Sequence, residues 1–348
     1  MSVKTFFPIL LYYIVRILHV GKYYNWYVFR RRLSRRLYRT VAKYYCNDAA
    51  KLSEGRQVVF VCNGNNESGG WADRLKGILS TYSVCKELHL DFRLLFTHPF
   101  PLAEFLEPNA YDWTIDEKDV VFAFPNTEIV AMEITEESDY QMRKQREWMV
   151  RRLGRSKARQ VHVYTNAMFA YGDGFGALFS ELFRLTPRLR SAVDVQRQML
   201  GSDYISVSGR FLGCLGDFED TVQMPSLPCD KRQMLLDACM EQLEKLHEKH
   251  PRSRFLVNSD STSFLAMAQQ LDYVYVIPGR ILHLDVENKS GADTYALYEK
   301  TFLDFFTIAN ASFIYRLDGQ WMHTSGYPLA ASKIYGRPFE AIKFGVDV

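Results

Sequence analysis

GRQVVFVCNGNNESGGWADRLKGILSTYSVCKEL, residues 55 to 88, reads as one strand, one polar glycine loop and one helix. Residues 57 to 62 are apolar and rich in valine, the composition of a strand buried on both faces. Residues 63 to 70 hold three glycines and three asparagines, which is loop chemistry. From 71 to 88 the apolar residues recur at helical spacing, and DFRLLF at 91 to 96 follows at once as a second strand. Strand, crossover helix and strand make a βαβ unit, so the chain is α/β with a parallel sheet.

The alternation continues through a strand VVFAF (120 to 124), a charged helix around 137 to 153, a strand QVHVYTN (160 to 166) and a helix over 175 to 185. Residues 186 to 203, opening with TPRLR, predict a hinge. The second half restarts with YISVSGRF from 204, a helix over about 230 to 249, FLVNSD (255 to 260) and a short helix over 262 to 270. YVYVIPG (273 to 279), a helix over 293 to 311, FIYRL (313 to 317) and a closing helix after Gly326 complete it. At 348 residues there is enough chain for two cores. The expectation is two facing Rossmann-like domains, 55 to 190 and 200 to 342, with a cleft between them. A hydrophobic share of 47% with 24% charged residues excludes a disordered chain.

Residues 1 to 47 are different. They hold ten Lys or Arg and no Asp or Glu, while the rest of the chain is net acidic. FFPILLYYIV (6 to 15) is ten uncharged residues stopped by Arg16, half of what a bilayer span needs. It also lacks the basic start and small-residue cleavage site of a secretory signal. Phe29, Leu33, Leu37 and Val41 then recur every four residues among Arg30, Arg31, Arg32, Arg35, Arg36, Arg39 and Lys43. With Tyr23, Tyr24, Trp26 and Tyr27 just before, this is a basic amphipathic arm suited to an anionic membrane surface through residues 6 to 45, or else a helix packed on the body with its arginines solvated. The basic excess is confined to the arm and joins no recognition motif, so no nucleic-acid partner is expected.

Six widely spaced cysteines, without a CxxC pair or a histidine at ligand spacing, argue against zinc. The loop before the first helix matches neither the GxxxxGK[ST] of a P-loop nor GxGxxG, which removes the usual support for ATP hydrolysis and hydride transfer. No two aspartates stand as D-x-D, so no metal is expected.

Three apolar strands end in small, polar or charged residues: YISVSGRFLGCLGDFED (204 to 220), FLVNSDSTSF (255 to 264) and the segment leading to SGYPLAASKIYGRPFEAI (325 to 342). Strand ends of this kind at the carboxyl edge of a parallel sheet suggest a nucleotide-diphosphate pocket. Arg210 is placed to fork a diphosphate, with Asp217, Glu219 and Asp220 near it to orient it or to take a hydroxyl proton. Asp260 offers an acceptor and Ser261 a donor at a helix start, where an N-cap is the plainer role. Ser325 and Gly326 open a helix whose amide groups suit an anion. Gly69 and Gly70 allow close approach at the first helix, where Asp73 and Arg74 either face the cleft or, respectively, stabilise the helix dipole and lie in solvent.

Together these segments resemble the fucosyltransferases of the GT-B fold, the group that includes protein O-fucosyltransferases, the α1,6 and α1,2 enzymes and bacterial nodulation-factor relatives. NESGGWADRLKGIL (66 to 79) is similar to the family's first glycine loop and helix, VSGRFLGCLGDFED (207 to 220) to its arginine segment and SDSTSF (259 to 264) to its donor-nucleotide segment. DFFTIANASFIYRLDGQWMHTSGYPLAASKIYGRPF (304 to 339) is similar to its last αβα stretch. The resemblance implies that Arg210 holds the β-phosphate of GDP-fucose, Asp260 meets the nucleoside and Asp304 lines the guanosine pocket. It implies that Thr324, Ser325 and Gly326 bind phosphate, with no metal and with inversion at the anomeric carbon. Ser208 stands where the family has histidine, Phe211 replaces its second arginine, and the glycine-asparagine pair of the O-fucosyltransferases is here Gly69 and Gly70.

The expected reaction is transfer of fucose to a hydroxyl of a glycan or lipid-linked oligosaccharide, in surface-polysaccharide or glycoconjugate synthesis. The first domain would carry the acceptor and the second the nucleotide sugar. Asp73, Asp217 and Glu219 are the candidate bases, Asp73 first. The arm places the protein peripherally at the cytoplasmic face of a membrane, as in a bacterial cell. A Golgi lumenal location is disfavoured because no full-length signal anchor is present. The alternatives are an inactive GT-B-like binding module and a transferase for another nucleotide sugar.

Overall fold

The computed structural model describes residues 24–28, 55–64, 69–123, 126–133, 138–169, 174–217, 224–279 and 293–346. The chain divides into two compact units, Met1–Leu102 with Pro108–Arg184, and Ala103–Glu107 with Leu185–Val348.

The first unit holds strands β1 (Tyr24–Val28), β2 (Gln57–Cys62) and β3 (Asp91–Phe96), with helix α1 (Trp71–Leu88) between the last two. The short β4 (Leu106–Pro108), of which Leu106 and Glu107 count with the second unit, is followed by β5 (Thr127–Glu133), helix α2 (Asp139–Arg155), β6 (Gln160–Thr165), helix α3 (Gly174–Leu182) and β7 (Phe183–Leu185), whose last residue also counts with the second unit. Five of these strands form one parallel sheet in the order β1-β5-β6-β2-β3, and β4 pairs with β7 in a sheet of two. Chain order reverses between β2 and β6, which makes their carboxyl ends the switch point of this sheet. β2 and β6 are almost wholly buried, as their unbroken apolar character requires of central parallel strands.

α1 lies on β2, β3 and β6, and Gly77 sets how closely. A Cβ at Gly77 would sit 2.1 Å from the Thr165 carbonyl oxygen and 3.1 Å from the Phe60 ring. Gly77→Ala gains helix propensity worth at most about 1 kcal/mol, yet it forces helix and sheet apart. We expect a net loss of about 1–3 kcal/mol in the urea unfolding of this unit. An unchanged midpoint would mean that α1 does not seat on β6 as described.

The second unit begins with helix α4 (Pro187–Leu200) and β8 (Tyr204–Gly209), continues through helix α5 (Cys229–Lys249), β9 (Arg254–Ser259), helix α6 (Thr262–Ala268) and β10 (Val274–Tyr275), and ends with helix α7 (Thr294–Ala309), β11 (Phe313–Gly319), helix α8 (Tyr327–Ile334) and β12 (Phe339–Phe344). Its parallel sheet runs β10-β9-β8-β11-β12. Ile205, Val207, Phe255, Val257, Tyr315 and Leu317 share one face and pack under α5 and α6. The opposite face meets α7, where the Tyr204 hydroxyl donates to the Thr307 carbonyl at 2.5 Å. Here order reverses between β8 and β11, so their carboxyl ends form the switch point.

Three readings of local structure are corrected. Residues 187 to 200, within the segment read as a hinge, form helix α4, which Thr186 caps with its hydroxyl and Pro187 opens. VVFAF is not a strand over its described residues, and the strand is TEIVAME at 127 to 133. The closing helix is followed by β12, a strand that the pattern did not predict. Residues 24 to 28 form edge strand β1, paired in parallel with β5, which suits their aromatic and β-branched content. The apolar plug and the basic helix of the arm lie outside the described residues. Among the described cysteines, Cys62, Cys85, Cys214 and Cys239 are buried, while Cys229 is exposed.

Candidate functional site

At the switch point of the second unit, β8, β9 and β11 end side by side, and the residues after each end are tied to one another. Arg210 follows β8. The chain then turns through Leu212, whose φ of 47° is left-handed, and Gly213. Asp260, directly after β9, holds that turn: its Oδ1 accepts the Phe211 amide and its Oδ2 the Leu212 amide, both at 2.8 Å. In return, Asp217 at the far end of the turn accepts the Ser261 hydroxyl at 2.7 Å, the Thr262 hydroxyl at 3.3 Å and the Ser263 amide at 2.7 Å. Ser261 also caps α6 by accepting the Phe264 amide at 3.1 Å. Each loop thus supplies a carboxylate that fixes the other, and Arg210 stands where the first loop begins, close enough to Asp260 to act on its charge.

The electrostatics separate the two carboxylates. Burial pushes the Asp260 carboxyl above its usual range, against the pull of the two amides and of Arg210. Burial acts upward on Asp217 as well, but the Ser263 amide and the Ser261 hydroxyl outweigh it and bring its pKa below the usual range. A carboxylate so stabilised in its ionised form is a weak proton acceptor.

The third strand end is the loop from Gln320 to Gly326. The His323 amide donates to the Arg210 carbonyl at 2.9 Å, and the Met322 amide to Gly319 at 3.0 Å. A Cβ at Gly209 would lie 3.3 Å from the Met322 methyl, so the glycine before Arg210 lets this loop come close. Thr324 and Gly326 are exposed, and nothing lies within 4 Å of a Cβ built on Gly326. The Ser325 hydroxyl accepts the Tyr327 amide at 3.3 Å at the start of α8.

Asp304 lies on α7, near enough to Tyr327 at the start of α8 for its charge to act on the Tyr327 hydroxyl. Its two oxygens accept Lys300 Nζ at 2.8 Å, and that lysine also donates to the Ile277 carbonyl at 2.9 Å. Burial raises the Asp304 carboxyl and Lys300 opposes the rise. Neither ligand set includes a group of three or more His, Cys, Asp or Glu side chains placed to hold a metal, among the described residues.

In the first unit, Gly69 has a left-handed φ of 68°, and a Cβ there would collide with Asp73 at 2.7 Å. Gly70 is the N-cap of α1. Asp73 pairs with Lys76 at 2.9 Å and keeps a half-exposed carboxylate. Arg74 neither faces outward nor lies in solvent. It is 1% exposed and donates to the Gly69 carbonyl at 2.9 Å, to the Cys62 sulfur at 3.0 Å and to the His98 carbonyl at 2.7 Å, which fastens the glycine loop to the ends of β2 and β3.

No protein-family model matches the chain, and no curated protein matches it in sequence. Among solved structures, NodZ α1,6-fucosyltransferase co-crystallised with GDP is similar at a TM-score of 0.51, with 15% identity over 80% of this chain and 92% of that one. The NodZ structure soaked with GDP-fucose gives 0.50 and 14% identity over 81% and 93%. Fucosyltransferase NodZ from Bradyrhizobium gives 0.50 and 14% over 80% and 93%. The chain has the fold of the GT-B fucosyltransferases.

Within this GT-B fold, the structure brings Arg210, Asp217, Asp260, Ser261, Thr324, Ser325 and Gly326 to one sheet edge of the second unit. It places Gly69, Gly70 and Asp73 at the start of α1 in the first unit, and Asp304 in a buried ion pair on α7. Glu219 lies outside the described residues. Ser208, at the position of the family's histidine, donates its hydroxyl to Asn258 Oδ1 at 2.5 Å. Sequence spacing did not disclose that Asp260 and Asp217 bind backbone and hydroxyl groups of each other's loops, since those partners are more than 40 residues away. The Ser-Asp-Ser-Thr-Ser run was the one local signal, as N-cap chemistry.

Proposed function

We propose that this protein is a glycosyltransferase that takes fucose from GDP-fucose and moves it to a glycan hydroxyl, releasing GDP. The observation that carries this reading is the convergence of Arg210 and the 320 to 326 loop at the switch point of the second sheet, joined by the His323 amide on the Arg210 carbonyl. The NodZ structures support the donor, since they were obtained with GDP and GDP-fucose. As the sugar carbon passes through an oxocarbenium-like state, negative charge collects on the departing diphosphate. Arg210, aimed by the turn that Asp260 holds, stabilises that charge without having to reorganise. Asp73 is carried as the base, because Asp217 is committed to Ser261 and Ser263. Inversion without a metal follows the resemblance.

Peripheral attachment to a membrane through the basic arm, and a glycan or lipid-linked oligosaccharide acceptor in surface-polysaccharide or glycoconjugate synthesis, belong to the same proposal. No described helix is long and apolar enough to cross a membrane. A second reading, an inactive binding module, draws on Ser208, whose hydroxyl is spent on Asn258.

Calorimetry with GDP, UDP and GDP-fucose, in EDTA, tests these readings. GDP is expected to bind in preference to UDP, and Arg210→Ala to weaken GDP by about tenfold or more, the scale of one charge-assisted contact. Equal GDP affinity in the variant would remove Arg210 from the site. Preference for UDP would replace the donor, and no binding of any nucleotide by folded protein would favour the inactive module.

A further inference from the structure

The loop that meets Arg210 is anchored at its other end by a pair of residues that no motif singled out. Arg316 and Asp318 lie two apart on β11, on the sheet face opposite the α5–α6 core, with side chains 11% and 8% exposed. The guanidinium forks the carboxylate, Nε to Oδ1 at 2.7 Å and Nη2 to Oδ2 at 2.6 Å. Its remaining nitrogen, Nη1, donates to the Ser325 carbonyl at 2.9 Å. Because a planar fork held at two points cannot swing, that third bond fixes the direction of the Ser325 carbonyl. In a trans peptide the amide of the next residue points the opposite way, so the Gly326 N–H is turned away from the buried pair. Gly326 is exposed.

We propose that Arg316, locked by Asp318, is a positioning residue for donor binding: it sets the 320 to 326 loop against Arg210 and orients the Gly326 peptide toward the donor diphosphate. This rests on the glycosyltransferase reading above. Replacing Arg316 alone would leave Asp318 buried without its fork and endanger folding. The double variant Arg316→Met, Asp318→Leu removes both charges together and keeps an apolar strand, so the fold has a route to survive.

Two measurements on the full chain judge the proposal. In the folded double variant, GDP affinity is expected to fall about tenfold while GMP, which lacks the β-phosphate, loses less; unchanged GDP affinity overturns the positioning role, and so does an equal loss of both nucleotides. Native hydrogen exchange on Arg316→Lys, which keeps a charge but loses the fork, is expected to speed exchange at the His323 and Tyr327 amides about tenfold, with the amides of β8 and β9 unchanged. Unaltered exchange at those two amides overturns it whatever the nucleotide data. If the unmodified protein binds no GDP, the glycosyltransferase reading fails by itself, and the exchange experiment still decides whether Arg316 holds the loop.

Discussion

Phe105→Ala is expected to cost the second unit about 3–5 kcal/mol, the range for emptying a buried aromatic site. Phe105 reaches that unit from the first half of the sequence, as part of Ala103–Glu107, and is fully buried. Its ring stacks between two rings of α7, with centroids 4.7 Å from Tyr295 and 4.2 Å from Phe302 and interplanar angles of 14° and 11°. The Arg188 guanidinium closes the stack 3.6 Å over Tyr295. Such parallel contacts add about 0.5–1.5 kcal/mol beyond burial. The backbone is fixed too, since the Thr186 amide donates to the Phe105 carbonyl at 3.0 Å beside the cap of α4.

Urea unfolding of the unit, followed by fluorescence, measures the loss. Phe105→Leu, which refills most of the volume, should recover much of it. A loss under about 1 kcal/mol for the alanine variant would show the stack to be loosely packed. The same reasoning bears on how the unit can be isolated. A fragment beginning at residue 185 lacks Phe105 and leaves Tyr295 and Phe302 facing a void, so weak GDP binding by that fragment would reflect lost packing on α7 before it reflected a missing ligand contact.

How much of this was legible in the sequence depends on where each residue finds its partners. β2, α1 and β3 could be read at their observed limits because strands buried on both faces are apolar throughout and the helix begins at a glycine pair. VVFAF misled for a physical reason. Val120, Val121 and Ala123 are buried like strand residues, but they are a loop whose polar backbone is satisfied from β6: Gln160 accepts the Val121 amide at 2.8 Å and donates to the Asp119 carbonyl at 2.8 Å. The true strand was hidden by Glu128, a buried carboxylate paired with Arg152 and accepting the Ser156 hydroxyl. β12, FEAIKF, sets Glu340 and Lys343 among apolar residues without a strict alternation, so this edge strand carries a weak pattern that the preceding turn obscures. At the site, the strand ends that carry Arg210, Asp260 and Ser325 were visible as composition. The bonds that aim them were not, because Arg74, Asp217 and Arg316 act through carbonyls, amides and hydroxyls brought together only by the sheet.

His162 supplies the other large effect, and its sign follows from burial. The imidazole lies inside β6 with no solvent exposure, and burial pushes its pKa down from 6.5 to about 3. Gln160 Oε1 already accepts the Val121 amide and stands 3.1 Å from His162 Nε2, so the neutral ring carries its proton on Nε2 and donates it. Phe122 packs edge-on against the ring at 5.2 Å. Above pH 6.5 neither the folded nor the unfolded state protonates this residue, and its contribution to stability is fully present. As the pH falls below 6.5 the unfolded chain takes up a proton that the folded chain refuses until about pH 3. Stability therefore drops by about 1.4 kcal/mol per pH unit, or about 2–3 kcal/mol between pH 6.5 and 4.5. Urea unfolding of the first unit across that range should show the excess slope in the natural protein and its absence in His162→Gln. Should the variant not fold, the imidazole resonances of the natural protein decide the matter: a neutral ring at pH 5 supports the account, and a ring that becomes charged between pH 7 and 5 while the fold persists would mean that this site is open to protons and that the acid sensitivity of the unit arises elsewhere.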